Sequence, residues 1–147
     1  MSVITEEYFQ VLLDKSSKYH DVAAYGQVIQ PDHSKLLNRT SLLFALDCFL
    51  EIHRQTHATL WSSLSGKDAL IHALVQKYKW PLSEITSLSL KDSILLLQEE
   101  LNLNSLPPQV VQVIQSYGAN KKQQFPDLKD EEWDPDLYLT IPKQQNW

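Results

Sequence analysis

Apolar side chains recur at helical spacing over most of the chain up to residue 118. Thr5 precedes two glutamates and an apolar stripe, which predicts an N-cap and a first helix ending near Tyr19. Ser41–Trp61 predicts a second helix at the centre of the core, because its early part is apolar around most of its circumference. Residues 20–38 lack this periodicity and are predicted to form a loop.

Serine and proline signals divide the following residues into shorter helices. Capping boxes of the S-x-x-D form begin at Ser65 and Ser89, each ahead of an apolar stripe. Pro81 disfavours helix in the residue before it and is well placed to open the next helix. A last stripe, Val110–Tyr117, is closed by Gly118. The prediction is an all-α fold, a single globular domain of five or six helices.

The residues from 119 to 147 follow a different pattern. Three prolines punctuate them, and Leu137, Leu139 and Ile141 alternate with other residues, which is typical of an extended segment. We therefore divide the chain into a helical domain, residues 1–118, and an extended acidic and aromatic C-terminal arm, residues 119–147, that packs on it.

The net charge of the chain resides in a part of this arm that we call the acidic segment, residues 125–138. It contains six carboxylates and one lysine, so it carries −5, the formal charge of the whole chain. Phe125, Trp133 and Tyr138 are interleaved with the acids. Large rings have little use in a purely solvating tail, so the pattern favours a segment that docks on a protein surface.

Composition excludes several classes of function. The three glycines lie too far apart to form a glycine-rich nucleotide loop. The single cysteine, Cys48, excludes an intramolecular disulfide and indicates a reducing compartment. An acidic chain has no basic excess for nucleic acid, and we find neither a signal peptide nor an apolar stretch long enough to cross a bilayer. The expected location is the cytoplasm.

Candidate chemistry is concentrated in the second predicted helix. His53 and His57 stand four residues apart, as in helical metal sites, but a third ligand would have to come from elsewhere. Cys48 lies between apolar and acidic neighbours, which do not activate a thiol, so a buried structural cysteine is favoured. We therefore predict no metal, no cofactor and no catalytic residue here.

The four tryptophans and a cluster of charges also receive interpretations. Trp61 and Trp80 end helices and are predicted to pack in the core. The helical spacing from Asp47 to Arg54 predicts a solvated charged stripe. For Trp133 two hypotheses stay open: an anchor for a partner, or a ring that ties the arm to the helices.

These patterns predict a small acidic protein-interaction module with a basic protein partner. The most concrete form is an inhibitor of the immunity or antitoxin kind that neutralises its partner through charge and aromatic anchors. The predicted partner-binding residues are Asp130, Glu131, Glu132, Trp133, Asp134, Asp136 and Tyr138. The alternatives are a small helical enzyme or metal-binding protein using Cys48, His53 and His57, and a homodimeric structural or adaptor subunit.

Overall fold

The computed structural model describes residues 2–119 and 121–141. Within these residues the chain forms six α-helices and two short 3-10 helices, and no strand. The α-helices are α1 Glu6–His20, α2 Asp32–His57, α3 Asp68–Tyr78, α4 Leu82–Thr86, α5 Leu90–Leu96 and α6 Pro108–Ser116. The all-α prediction is confirmed.

Helix α1 begins at its predicted cap. The Thr5 hydroxyl accepts a hydrogen bond from the Tyr8 backbone N–H at 3.1 Å, which satisfies one of the free amides of the first turn. Tyr8, Phe9, Leu12 and Leu13 are buried along one face. The periodicity of the sequence predicts this apolar face, and the structure packs it against α2.

Helix α2 is longer at its start and shorter at its end than predicted. It runs from Asp32 to His57, so the loop prediction for residues 20–38 was wrong over the last part of that range. Leu36 and Leu37 are buried in these first turns, where polar neighbours hide the apolar stripe in the sequence. The helix separates two clusters of core residues and contributes side chains to both.

Of the two predicted serine caps, one is formed in the structure and the other is not. The Ser89 hydroxyl accepts a bond from the Asp92 amide at 3.1 Å, as the capping box predicts. The box at Ser65 does not cap α3, whose N-cap residue is Lys67 and makes no side-chain cap bond. Prolines occupy the N-cap positions of the remaining two helices, Pro81 in α4 and Pro107 in α6, without a side-chain cap bond.

Residues 121–141 lie against the helices and contain both 3-10 helices, Asp130–Glu132 and Leu137–Thr140. The second one corrects the extended conformation predicted from the alternation around Leu139. Phe125 packs on the cluster formed with α1 and α6, and Trp133 belongs to the cluster formed with α3 and α5. The predicted arm continues to Trp147, and its residues 142–147 lie outside the described residues.

Candidate functional surface

Glu132 is bonded to three parts of the chain. The Arg39 guanidinium on α2 donates to its carboxylate, and His20 Nε2 on α1 lies 2.7 Å from the same oxygen. The backbone N–H of Lys129 donates to the other oxygen at 2.8 Å. Glu132 and Arg39 are both buried. The charge of this predicted partner-binding residue is therefore compensated within the chain.

Arg39 also positions the start of the acidic segment. Its second terminal nitrogen donates to the backbone carbonyls of Phe125 and Asp127, at 3.3 and 2.8 Å. The Phe125 ring stacks on His20 with the ring centroids 4.1 Å apart. One buried arginine thus joins α2 to the acidic segment through both a side chain and the backbone.

Trp133 is buried and bonded to α2. Its indole N–H donates to one carboxylate oxygen of Asp47 at 2.8 Å, and the Tyr8 hydroxyl donates to the other at 2.5 Å. The prediction that Asp47 lies on a solvated stripe was wrong, because this carboxylate is buried. Burial raises the pKa of Asp47 to about 6, and the bonds from Tyr8 and Trp133 oppose that rise. Burial beside this carboxylate also raises the pKa of the Tyr8 hydroxyl.

Asp130 and Glu131 remain exposed although each has a fixed partner. The Asp130 carboxylate accepts a bond from the Leu90 backbone N–H at the start of α5, at 2.7 Å. Glu131 accepts a bond from the Tyr19 hydroxyl of α1 at 3.0 Å. These contacts hold two carboxylates in place while leaving them accessible to solvent.

Asp134 and Asp136 form a turn. One oxygen of Asp134 accepts a bond from the Asp136 backbone N–H at 3.0 Å, and the other lies 3.7 Å from the Lys15 ammonium. Asp134 is half-buried and Asp136 is exposed. The pair with Lys15 is open to solvent, so it neutralises Asp134 only weakly.

Tyr138 contacts the connection between α2 and α3, residues 58–67, which we call the α2–α3 loop. The Gly66 backbone N–H donates to the Tyr138 hydroxyl at 3.3 Å, and the Arg54 guanidinium lies 4.0 Å from the centre of the ring. Gly66 has a φ of +59°, and a Cβ there would lie 2.7 Å from Asp136 Oδ1. The positive φ and the close approach of Asp136 both favour glycine where this loop meets the acidic segment.

The same loop carries the most exposed apolar residues of the described chain. Leu60 and Trp61 are 88% and 90% exposed, so the prediction that Trp61 packs in the core was wrong. Helix α2 ends at His57, and a turn between Thr59 and Ser62 then directs the chain outwards. No glycine or proline marks this turn, so the sequence gives no clear signal for it.

Trp80 also departs from its predicted position. It is 42% exposed, and its ring stacks on Tyr78 with the centroids 4.9 Å apart. Lys79 between them adopts a left-handed conformation with a φ of +58°, which ends α3 and turns Trp80 away from the core.

Cys48 is buried, as predicted. Burial raises the pKa of its thiol, and the nearby Asp47 and Glu51 carboxylates raise it further. A thiol in this setting stays protonated and inaccessible, which argues against a nucleophilic role.

The structure adds a third ring to His53 and His57. His72 of α3 lies with Nδ1 at 2.8 Å from His53 Nε2, and the His53 and His57 ring centroids are 4.4 Å apart. Among residues 2–119 and 121–141, no three His, Cys, Asp or Glu side chains are placed to hold a metal ion. Burial, and then the two neighbouring rings, lower the pKa of His53 to about 4. The sequence hint for this contact was that all three histidines lie near the α2–α3 loop.

No protein-family model matches the chain, and neither the curated proteins nor the solved structures give a significant match. In the part of the chain that the structure describes, none of the helices has the length and apolar character to cross a membrane.

Proposed function

We propose that this chain is a small acidic protein-interaction module that binds a basic protein through its C-terminal arm. In its most concrete form it is an inhibitor of the immunity or antitoxin kind that neutralises that partner in the cytoplasm. The supporting observation is the set of carboxylates that stay exposed while being held in place. Asp130 and Glu131 have this character, and exposed Asp136 and half-buried Asp134 lie close to them in the sequence.

Fixed charges favour recognition for two reasons. Negatively charged carboxylates attract a positively charged partner and so raise the rate of association. Because Asp130 and Glu131 are already bonded to Leu90 and Tyr19, little side-chain freedom remains to be lost on binding. Glu132 and Trp133 also fasten the acidic segment to α1 and α2, which is the second of the two hypotheses given for Trp133.

The aromatic anchor of this proposal is Trp61 together with Leu60. Tryptophan is the residue type most enriched among binding hot spots, and an exposed Leu-Trp pair at a loop tip has no packing role in the isolated chain. The loop also bonds to Tyr138 through Gly66, which joins it to the acidic segment. Charge from the acidic segment and an apolar anchor from the loop would then act on one partner.

A retention experiment with charge variants tests the proposal. Three tagged proteins are compared: the wild type, an acidic-segment variant and a control variant. The acidic-segment variant combines Asp130→Asn, Glu131→Gln and Asp136→Asn, and the control combines Glu7→Gln, Asp14→Asn and Glu99→Gln. All six substituted residues are exposed, and the two variants have the same net charge. Proteins retained from the native cell at low and high salt are identified by mass spectrometry. We expect one basic protein on the wild type and the control, and its loss from the acidic-segment variant.

The retained protein must then bind in purified form. We expect the acidic-segment variant to associate more slowly and with a weaker dependence on salt, and Trp61→Ala to dissociate faster. Equal retention by both charge variants, or retention of no basic protein by the wild type, would contradict the proposal. A mass that rises with concentration in the purified chain alone would instead favour the homodimeric subunit.

A further inference from the structure

A cleft of about 540 Å³ lies on the molecule between α2, α5, α6 and residues 121–128. Such a volume is within the range of small-molecule sites. Four cationic side chains line it: Arg39, Lys91, Lys121 and Lys122. Among the described residues, no aspartate or glutamate lines this cleft. The rest of the chain has nine Lys or Arg, 13 minus 4, against 18 Asp or Glu. The cleft therefore has the opposite charge to the molecule as a whole.

Three of the four cations are available to a ligand. Arg39 is bonded to Glu132 and to two backbone carbonyls. Lys91, Lys121 and Lys122 are exposed, and in the described part of the chain none of them pairs with a carboxylate within 4.0 Å. Three exposed lysines around one cleft, none paired with a carboxylate of the described residues, favour an anionic head group.

The remainder of the cleft is apolar. Its aliphatic lining residues are Leu42, Ala45, Ile94, Leu101, Leu103, Ile114, Ala119 and Leu128. A second cavity of about 450 Å³ shares Leu42, Lys91 and Ile94 with it and continues along α5 to Leu95. The apolar surface thus continues from one cavity into the next, which suits a linear chain better than a compact ring system.

The outer wall of the cleft is fixed to α2. The Asn38 side-chain amide donates to the Lys121 carbonyl at 2.7 Å, and the Ser41 hydroxyl donates to the Ala119 carbonyl at 3.2 Å. Arg39 holds the carbonyls of Phe125 and Asp127 at the other end. A wall anchored by hydrogen bonds at both ends provides a formed site, not a transient opening between side chains.

From these observations we infer that the cleft binds an amphipathic anion: a carboxylate or phosphate head group at Lys91, Lys121 and Lys122, with an aliphatic tail over Leu42, Ile94 and Leu101. The lysine stems extend the apolar surface while their ammonium groups meet the head group. This inference does not rest on the proposed protein-binding function, because none of the acidic-segment carboxylates lines the cleft.

Titration of the full chain with octanoate and decanoate, followed by NMR of leucine and isoleucine methyl groups, tests the inference. We expect saturable shifts confined to methyl groups of the cleft, such as those of Leu42, Ile94 and Leu101. Burial of each added CH₂ should tighten binding by up to about fourfold. Decanol should bind much more weakly than decanoate, and decyl phosphate should compete for the same site, which compares the two head groups directly.

Charge variants distinguish binding in the cleft from a general attraction of anions to surface lysines. Lys91→Gln, Lys121→Gln and Lys122→Gln combined should weaken decanoate binding by about tenfold. The matched control combines Lys18→Gln, Lys67→Gln and Lys79→Gln, which remove the same charge from exposed positions outside the cleft, and should bind as the wild type does. Equal losses in both variants, no dependence on tail length, or shifts spread over other methyl groups would overturn the inference.

Discussion

The acidic segment and the α2–α3 loop each carry one tryptophan, and the two rings have opposite environments. Trp133 is buried and donates its N–H to Asp47, whereas Trp61 is 90% exposed. The charged neighbours of Trp133 do not prevent burial, because Glu132 is paired with Arg39, Glu131 is exposed, and Asp134 is only half-buried. The comparison shows that polar neighbours in the sequence do not decide whether a ring is buried: Trp133 is buried among acids because it has a partner on α2, whereas Trp61 follows Leu60 and is exposed.

The largest expected effect separates two adjacent glutamates of the acidic segment. Glu132→Ala leaves the Arg39 guanidinium buried without its carboxylate, so the free energy of unfolding should fall by about 3 to 5 kcal/mol. Glu131→Ala, its exposed neighbour, is the matched control and should change stability by less than about 0.5 kcal/mol. Urea denaturation measures both. Equal losses would show that the buried ion pair contributes nothing special to the attachment of the segment.

A smaller effect isolates the hydrogen bond of Trp133. Trp133→Phe keeps most of the ring but removes the N–H that reaches Asp47, and this buried carboxylate then has only Tyr8 as a side-chain donor. We expect a loss of about 1 to 3 kcal/mol, the usual cost of a buried group left short of a partner. Trp61→Phe serves as the control in thermal unfolding. No difference between the two variants would mean that the bond to Asp47 is dispensable.

The histidine contact between α2 and α3 predicts a pH effect. The pKa of His53 in the folded chain is about 4, below its ordinary value of 6.5, so the unfolded chain takes up this proton first. The resulting stability is present above about pH 6.5 and is lost as the pH falls towards 4. After allowance for solvent screening, the His53 contribution to the free energy of unfolding should fall by about 1 kcal/mol between pH 7.5 and 5.5.

Asp47 has the opposite sign and must be separated from His53. Its folded-state pKa is about 6, above the ordinary 3.8, so its protonation stabilises the folded chain as the pH falls through that window. The difference between wild type and His53→Gln, measured by denaturant titration at each pH, removes the Asp47 contribution. The variant should lose about 1 kcal/mol less than the wild type. Parallel curves would exclude a role for His53.

The smallest expected effect completes the comparison of the two rings. Trp61→Ala removes a large side chain, yet stability should change by no more than about 0.5 kcal/mol because the ring contacts solvent. Guanidinium denaturation with tryptophan fluorescence checks this. A loss above about 2 kcal/mol would show that Trp61 packs against the chain in solution, and its proposed role as an anchor would then fail.

Local features of the fold could be predicted from the sequence because their causes lie within a few residues. Thr5 and Ser89 cap helices by bonds to amides three residues away, and the apolar face of α1 repeats within each turn. The start of α2 was missed because its first turns are mostly polar. The exposed position of Trp61 was missed because its turn relies on Thr59 and Ser62 instead of glycine or proline.

The candidate surface depends on contacts that no local pattern encodes. Arg39 and Glu132 are separated by 93 residues, and Trp133 and Asp47 by 86. Before these pairings are known, the acids of the segment cannot be sorted into exposed and compensated ones. One indirect signal was present: a charged residue on the apolar face of a central helix, such as Asp47, requires a buried partner.

The attachment of the acidic segment to α2 also bears on how the chain folds during synthesis. When the ribosome has just added residue 118, α2 already contains the Arg39 guanidinium and the Asp47 carboxylate. Their partners Glu132 and Trp133 have not yet been synthesised. Domains generally fold as units during synthesis, once the residues that they need have emerged from the ribosome. Here the native state should become accessible only late in translation, so nascent chains arrested after residue 118 should be digested readily by protease, whereas chains released beyond residue 141 should resist.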